Sequence, residues 1–342
     1  METLQQLGIG LIQALQALSP ALDGLMHSFT FLGKIEFYLI FIPFIYWAVD
    51  KRLGIRLLVL LITSNFMVSA LKVLFHQPRP YWLGEVKGLA QEPSYGLPSS
   101  HASDTLSVWG YLAHHTKKAW MWIAAAVILL FIGISRTYLG VHFPHDVLFG
   151  WLLGAIWLLV FARSEKPLAA WANRQGLAGG VGLALVFSLM AIVVGGLVQM
   201  SVSGRTDPAE WSAFAVQARS PSYMFTLAGS LFGALAGYVL MKALAPFENS
   251  GSWLQRLARY LLGIVGVLLL YFGLDTLFSL IAPDQTVLGY ALRYLRYAVL
   301  TLWTMFLAPW IFVKIGLARR TAAAPSEELI PVRAASSGTG PV

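Results

Sequence analysis

Cysteine is absent from the 342 residues, which excludes disulfides, thiolate metal sites and thiol nucleophiles and leaves the redox compartment unread. Charge is scarce as well. Asp, Glu, Lys and Arg make up 12% of the chain, against about 25% in an ordinary globular domain. Hydrophobic residues make up 57%, and mean hydropathy is +0.68. Such a chain belongs in a bilayer. The net charge of +8 raises nucleic-acid binding, but the basic residues lie between apolar runs and form no dense patch with interleaved aromatics. No nucleic-acid partner is expected. The first residues carry no Lys or Arg cluster and no small-residue cleavage site, so no removable secretory signal is expected.

Apolar runs recur at 35–50, 53–75, 101–116, 119–135, 146–163, 177–200, 222–245, 258–282 and 289–315. They describe an all-α, polytopic transmembrane helix bundle of nine spans, several of which need their flanking turns to reach the roughly 20 residues of a crossing. Ahead of them, residues 1–28 carry an apolar stripe of Leu4, Leu7, Leu11, Ile12 and Leu15 against Gln5, Gln6, Gln13 and Gln16. That back face is too polar for a crossing, so an interfacial amphipathic helix is expected, with a short span as the competing reading. The region near 164–176 divides a five-span core, residues 29–165, from four additional spans, residues 166–317. Residues 318–342 have no apolar period and read as a disordered tail.

Lys and Arg gather in alternate connections: Lys51, Arg52 and Arg56; Lys117 and Lys118; Arg163, Lys166 and Arg174; Lys242, Arg256 and Arg259; Lys314, Arg319, Arg320 and Arg333. Because cytoplasmic loops hold excess Lys and Arg, the N-terminus is expected outside and the C-terminus inside. Gly229, Gly233 and Gly237 stand four residues apart and permit close helix approach, either within the chain or as a homodimer seam.

Three clusters fall at span ends on the external side. At the exit of the second span, Lys72 lies in an apolar run, and Arg79 follows between Pro78 and Pro80. A charge held in hydrocarbon costs about 2.5–3.5 kcal/mol on insertion scales, although the stem of Lys72 can snorkel. Opening the third span, Pro98-Ser99-Ser100-His101 offers an N-cap serine and free backbone amides that suit an anion. Asp104, three residues on, is placed to accept a hydrogen bond from the His101 imidazole. Between the fourth and fifth spans come Ser135, Arg136, His142 and Asp146. Here a carboxylate can orient an imidazole nucleophile, and Gly140 and Pro144 supply the turn. Together the clusters give three cations, an anion nest and two histidines, the parts for phosphoryl transfer without a metal ion or other cofactor.

These residues resemble the signature of the type 2 phosphatidic acid phosphatase superfamily, which is related to vanadium haloperoxidases and glucose-6-phosphatase. The family pattern is Lys-x6-Arg-Pro, Pro-Ser-Gly-His and Ser-Arg-x5-His-x3-Asp. The chain has Lys72 with Arg79-Pro80, Pro98-Ser99-Ser100-His101, and Ser135-Arg136 with His142 and Asp146. Every spacing agrees. Ser100 stands where the family usually has Gly, at a position that mainly offers a backbone amide. The resemblance covers roughly residues 29–163 and leaves the last four spans outside it.

The resemblance implies an integral membrane phosphatase in which His142 attacks phosphorus, Asp146 holds its ring, and a phosphohistidine forms. His101 would protonate the leaving oxygen and then activate water. Lys72, Arg79 and Arg136, with Ser99 and the amides near Ser100, would hold the phosphoryl oxygens. Asp104, Ser135 and Tyr81 are expected to support them from behind, and His145 to be incidental. Tyr81, Trp82, Tyr95 and Trp109 flank the site and suit a lipid phosphate partner among membrane lipids, although an interfacial aromatic belt explains them equally. The Tyr95–His101 stretch resembles sphingosine-phosphate and long-chain-base phosphatases. Other readings stay open: a sugar phosphate like that of glucose-6-phosphatase, phosphotransfer to a lipid acceptor, or a transporter using Asp275, Arg293 and Arg296 as intramembrane charges. Compact loops favour a bacterial inner membrane, with the site on the periplasmic side.

Overall fold

The structure, a computed structural model, describes residues 2–321. Residues 322–342, most of the expected tail, lie outside the described residues. In chain order the helices are α1 (Glu2–Gln16), α2 (Asp23–Phe31), α3 (Ile35–Phe44), α4 (Lys51–Phe75), α5 (Ser100–Thr116), α6 (Ala119–Tyr138) and α7 (Pro144–Asn173), and then α8 (Gly176–Ser201), α9 (Ser212–Ala218), α10 (Ser222–Leu244), α11 (Trp253–Ser279), α12 (Val287–Leu302) and α13 (Ala308–Lys314). A π-helical turn, Ile45–Val49, ends α3, and a second, Trp303–Leu307, joins α12 to α13. The protein is a membrane helical bundle.

Local chemistry sets the helix ends. Asp50 caps α4 by accepting from the amides of Arg52 and Leu53, the usual device for an orphan first turn. The same helix ends at His76, whose φ of 55° is left-handed, and Pro78 and Pro80 prevent its continuation. Ser252 and Gln255 close a reciprocal capping box on α11.

Among the described residues, seven helices are long and apolar enough to cross a membrane, or eight if the α2–α3 pair, bent by 50°, counts as one span. The sequence suggested nine. The run that falls short in length is α5, only 17 residues long and carrying His101, Ser103, Asp104 and Ser107, although it still runs back across the bundle between α4 and α6. It packs against α4, α6 and α7, so its polar face meets protein and needs no lipid-compatible surface. The four helices expected after the core are present as α8, α10, α11 and the α12–α13 unit.

The amino-terminal segment also differs from expectation. Two helices replace one, and the apolar residues of α1 divide: Ile9 and Ile12 are buried against Phe143, whereas Leu4, Leu7 and Leu11 are exposed. Gln16, expected on the polar back, is buried and donates to the carbonyls of Lys87 (2.8 Å) and Tyr138 (3.0 Å). The helix is thereby tied to one end of the bundle. At the other end of the chain, residues 318–321 are ordered: Glu248 N donates to Arg319 O (3.0 Å) and Thr321 N to Pro246 O (2.8 Å).

Core and added helices share one interior, in which Tyr46, Trp47, Ile55 and Ile62 pack with Leu227, Leu231, Met305 and Phe312. The two π turns meet there. Tyr46 Oη donates to Met305 O and Trp47 Nε1 to Thr304 O, both at 2.9 Å. The glycine row of α10 lies against α12 and its π turn in the same chain: a Cβ on Gly229 would stand 2.2 Å from Tyr294 O, and one on Gly233 2.0 Å from Ala298 O. The row is therefore occupied within the chain, the first of the two readings of Gly229, Gly233 and Gly237.

Gly233→Ala is expected to destabilise the bundle by about 1–3 kcal/mol through overpacking, read as a lower unfolding temperature in detergent. Gly182→Ala is the control, since its added Cβ meets nothing within 4 Å. Equal unfolding temperatures for the two variants would contradict the close α10–α12 approach.

Candidate active site

Alternating helix directions bring the C-terminal end of α4, the N-terminal end of α5 and the α6–α7 connection to one end of the bundle. Backbone bonds stitch them together: Ser99 N donates to Asp146 O (3.0 Å), Tyr81 N to Gly140 O (3.2 Å) and Gly96 N to Gln77 O (2.9 Å). Gly140 has a φ of 72°, and a Cβ there would meet Lys87 O at 2.3 Å, so this turn requires glycine. All three sequence clusters are thus in one place.

His142 is buried between two partners that fix its tautomer. Arg79 Nη1 lies 3.1 Å from Nε2 and can only donate, so Nε2 presents its lone pair and Nδ1 carries the proton. Nδ1 then donates to Asp146 Oδ2 at 3.2 Å. The same carboxylate oxygen accepts from Phe143 N at 3.0 Å, which anchors it to the first turn of α7. Burial first, and the charges of Arg79, Lys72 and Arg136 next, depress the His142 pKa well below that of an ordinary imidazole. The ring is neutral and nucleophilic under mild conditions.

Lys72 and Arg79 are both buried and share one short acceptor segment. Lys72 Nζ donates to Tyr95 O (2.7 Å) and Gly96 O (3.1 Å). Arg79 donates to Ser94 O (2.6 Å), Ser94 Oγ (2.9 Å) and Tyr95 O (3.2 Å), and through Nη1 to Val141 O (2.8 Å). Arg136 donates to Thr30 Oγ1 at 2.7 Å and forms an ion pair with Glu92. Burial alone would raise the Glu92 carboxyl, but Arg136, His101 and Arg79 together hold it well below the usual carboxylate range. A carboxylate of this chain therefore sits among the cations where an anion is wanted.

His101 lies close enough to His142, Arg79, Arg136 and Lys72 to feel their charge, and its Nε2 is buried with no partner among the described residues. Its expected link to Asp104 is not made. Asp104 instead accepts from Ser64 Oγ (2.8 Å) and Asn65 Nδ2 (2.5 Å), because the α5 face that carries it turns toward α4. Ser99 caps α5 through Ala102 N at 3.5 Å, and Ser100 lines the adjoining cavity. Ser135 donates to Ile132 O on its own helix (2.7 Å) and so supports the helix rather than the phosphate site. Tyr81 Oη brackets Glu92, donating to its carbonyl (3.3 Å) and accepting from its amide (3.2 Å). His145 stacks on Phe143 and approaches Asp146 Oδ1 at 3.4 Å.

Glu92, Thr30 and the Ser94–Gly96 carbonyls were not foreseen from sequence. An acidic residue in the loop between two cationic motifs was the one available signal. Equally unforeseen is a clamp from the loop before α10. Asp207 accepts from Tyr95 Oη (3.0 Å), pairs with His76 Nε2 (2.5 Å) and is held by Arg219. Trp211 and Phe214 stack beside Trp82. Hydrogen bonds and the Arg219 charge outweigh burial and keep Asp207 ionised. Further along, Arg296 pairs with Asp275 and lies over the rings of Tyr271 and Tyr297, and Arg293 pairs with Asp284 (2.5 Å). Asp275, Arg293 and Arg296, the charges of the transporter reading, are thus each matched in a pair.

Buried cations thus converge on an imidazole held by a carboxylate at one end of a membrane helical bundle. The model described as PAP2 superfamily matches residues 53–168, and one described as PAP2 superfamily phosphatase, transmembrane extension, matches residues 225–320. The chain is 31% identical over 155 residues to the undecaprenyl-diphosphatase of Sulfolobus acidocaldarius, covering 43% of this chain and 73% of that one. It is 31% identical over 161 residues to phosphatidylglycerophosphatase B of Bacillus subtilis, covering 43% and 77%. It is also 30% identical over 187 residues to glucose-6-phosphatase 3 of Rattus norvegicus, covering 46% of this chain and 54% of the rat protein, about half its length. The chain belongs to the PAP2 superfamily, and its last helices, outside the resemblance carried by the motifs, match the extension.

Asp207→Ala removes the acceptor of Tyr95 Oη and frees the segment that holds Lys72 and Arg79. Phosphate release is expected to fall ~10- to 100-fold, in line with the sensitivity of such sites to ångström misplacement, with the unfolding temperature little changed. Wild-type kinetics in this variant would show that the clamp does not position the cations.

Proposed function

We propose that the protein hydrolyses a phosphate monoester or diphosphate, on a membrane lipid, through a phosphohistidine on His142. The observation that carries this reading is the His142 ring, held between Asp146 and Arg79 in the tautomer that leaves the lone pair on Nε2, where Arg79 Nη1 has to yield its place to phosphorus. In the first half-reaction Nε2 bonds to phosphorus as the ester P–O bond breaks. His101 enters as the imidazolium, its proton held by the negative charge of the bound phosphate, and gives that proton to the leaving oxygen. In the second, His101 takes a proton from water, which displaces the histidine and releases phosphate. Lys72, Arg79 and Arg136 neutralise the phosphoryl oxygens, a task met by magnesium in many phosphoryl-transfer enzymes. Glu92 must give up Arg136 as the phosphate arrives.

The lipid assignment draws on the site's position at a bundle end, on its aromatic surroundings, and on relatives that carry undecaprenyl-diphosphatase and phosphatidylglycerophosphatase names. A sugar phosphate is the second reading, favoured by the glucose-6-phosphatase 3 relative and by the polar side chains, among them Asn65, Gln217 and Ser222, in the wall of the cavity next to His101. The alternation of basic connections supports an N-terminus outside and a C-terminus inside, with the site on the periplasmic face of a bacterial inner membrane.

His142→Ala is expected to abolish phosphate release from purified, folded protein, while His145→Ala stays within about tenfold of wild type. Robust turnover by the His142 variant would remove the mechanism. The depressed His142 pKa sets the sign of the pH dependence. Protonation removes the nucleophilic lone pair only below the usual imidazole value of about 6.5, so the acid limb of kcat/KM is expected under pH 6.5 and should move upward in Lys72→Met. A limb above pH 7 in the wild type would contradict the arrangement.

A further inference from the structure

A cavity of about 660 Å³ adjoins the phosphate site and lies between the core and the extension, within the range of small-molecule sites. Lys72, His101 and Glu92 form its catalytic end. Its other wall comes from the extension, with Gln217, Ser222 and Arg293. Deeper along α4 stands Asn65, seven residues and so about 10 Å from Lys72 at helical rise.

Three lining side chains outside the catalytic set carry buried polar atoms without partners among the described residues: Tyr38 Oη, Asn65 Oδ1 and Arg293 Nε. Asn65 Oδ1 needs a donor, Arg293 Nε needs an acceptor, and the Tyr38 hydroxyl takes either. A hydroxyl supplies both, whereas an alkyl chain in the same space would leave them unpaired and desolvated. The Asn65 amide is not free to turn away, since its Nδ2 is committed to Asp104.

We propose that the extension completes the substrate site: Gln217, Ser222 and Arg293, facing Asn65, recognise hydroxyl groups on the organic part of the substrate within about 10 Å of phosphorus. This rests on the phosphatase reading above and names what that site selects. The same chemistry is offered by a lipid with a hydroxylated head group and by a soluble sugar phosphate.

The test uses the full chain in detergent with four probes: an aryl phosphate, a simple alkyl phosphate, a sugar phosphate, and a lipid phosphate that bears hydroxyls next to the phosphate. In the wild type, kcat/KM for one or both hydroxylated esters should exceed that for the alkyl ester by tenfold or more, and the arm that shows the preference identifies the source. The variants Asn65→Leu and Arg293→Met should each cut that preference at least fivefold, mainly through KM. Inhibition by inorganic phosphate, which reads the cationic site, should persist and so separate lost selectivity from misfolding. A wild type without preference for hydroxylated esters, or variants that retain the preference or lose phosphate inhibition in step with it, would overturn the proposal. A wild type that releases no phosphate from any probe overturns the phosphatase reading itself.

Discussion

Three carbonyl oxygens and one hydroxyl, all from Ser94–Gly96, hold Lys72 and Arg79 in place. Removing a charge from water costs several kcal/mol even after relaxation, and two neighbouring cations repel each other besides. Charge-assisted hydrogen bonds to fixed carbonyls offset part of that cost. Lys72 keeps one of its three N–H donors for a phosphate. The two Arg79 donors not spent on this segment go to Val141 O and His142 Nε2, so a phosphate has to take the place of one of those partners. The irregular loop between α4 and α5 is therefore the element on which the site depends, and its neighbours constrain it: Tyr81 from below, Gln77 through a backbone bond to Gly96, and Asp207 through Tyr95.

The site's remaining electrostatic need is met by Glu92. Without substrate, a cluster of Lys72, Arg79 and Arg136 around two imidazoles would carry uncompensated positive charge in a poorly solvated place. The Glu92 carboxylate balances it. Substrate phosphate brings at least as much negative charge and more acceptor oxygens, so exchange replaces a one-for-one ion pair with a multidentate one. On the proposed reading, phosphate binding is a competition between two anions for the same guanidinium, and the net affinity is their difference.

The site was legible in sequence where function is written in spacing. Lys72 to Arg79, the Pro98–His101 turn and Arg136 to His142 to Asp146 all lie at span ends, and the structure brings all three together. The partners were not legible, because they are backbone carbonyls, or side chains such as Thr30 and Asp207 that reach the site from 106 positions before Arg136 and 112 after Tyr95. The fold class followed from composition and apolar runs. The number of long apolar helices did not, because α5 has the period of a span but is short and spends its polar face on Ser64 and Asn65 inside the protein. Gln16 misled for the same reason: a polar residue on a helix back reads as solvated until a carbonyl is found to receive it.

The paired π turns carry a mechanical consequence. A π turn frees carbonyls from the regular helical ladder, and those of Thr304 and Met305 are captured by Trp47 and Tyr46 across the junction. Because the two captures are adjacent, a one-residue slip of α12 along α3 would break both together. The junction thus behaves as a keyed joint: displacement of the extension is conveyed to the core helices as a unit, and the two halves cannot creep past each other under lateral pressure from the bilayer.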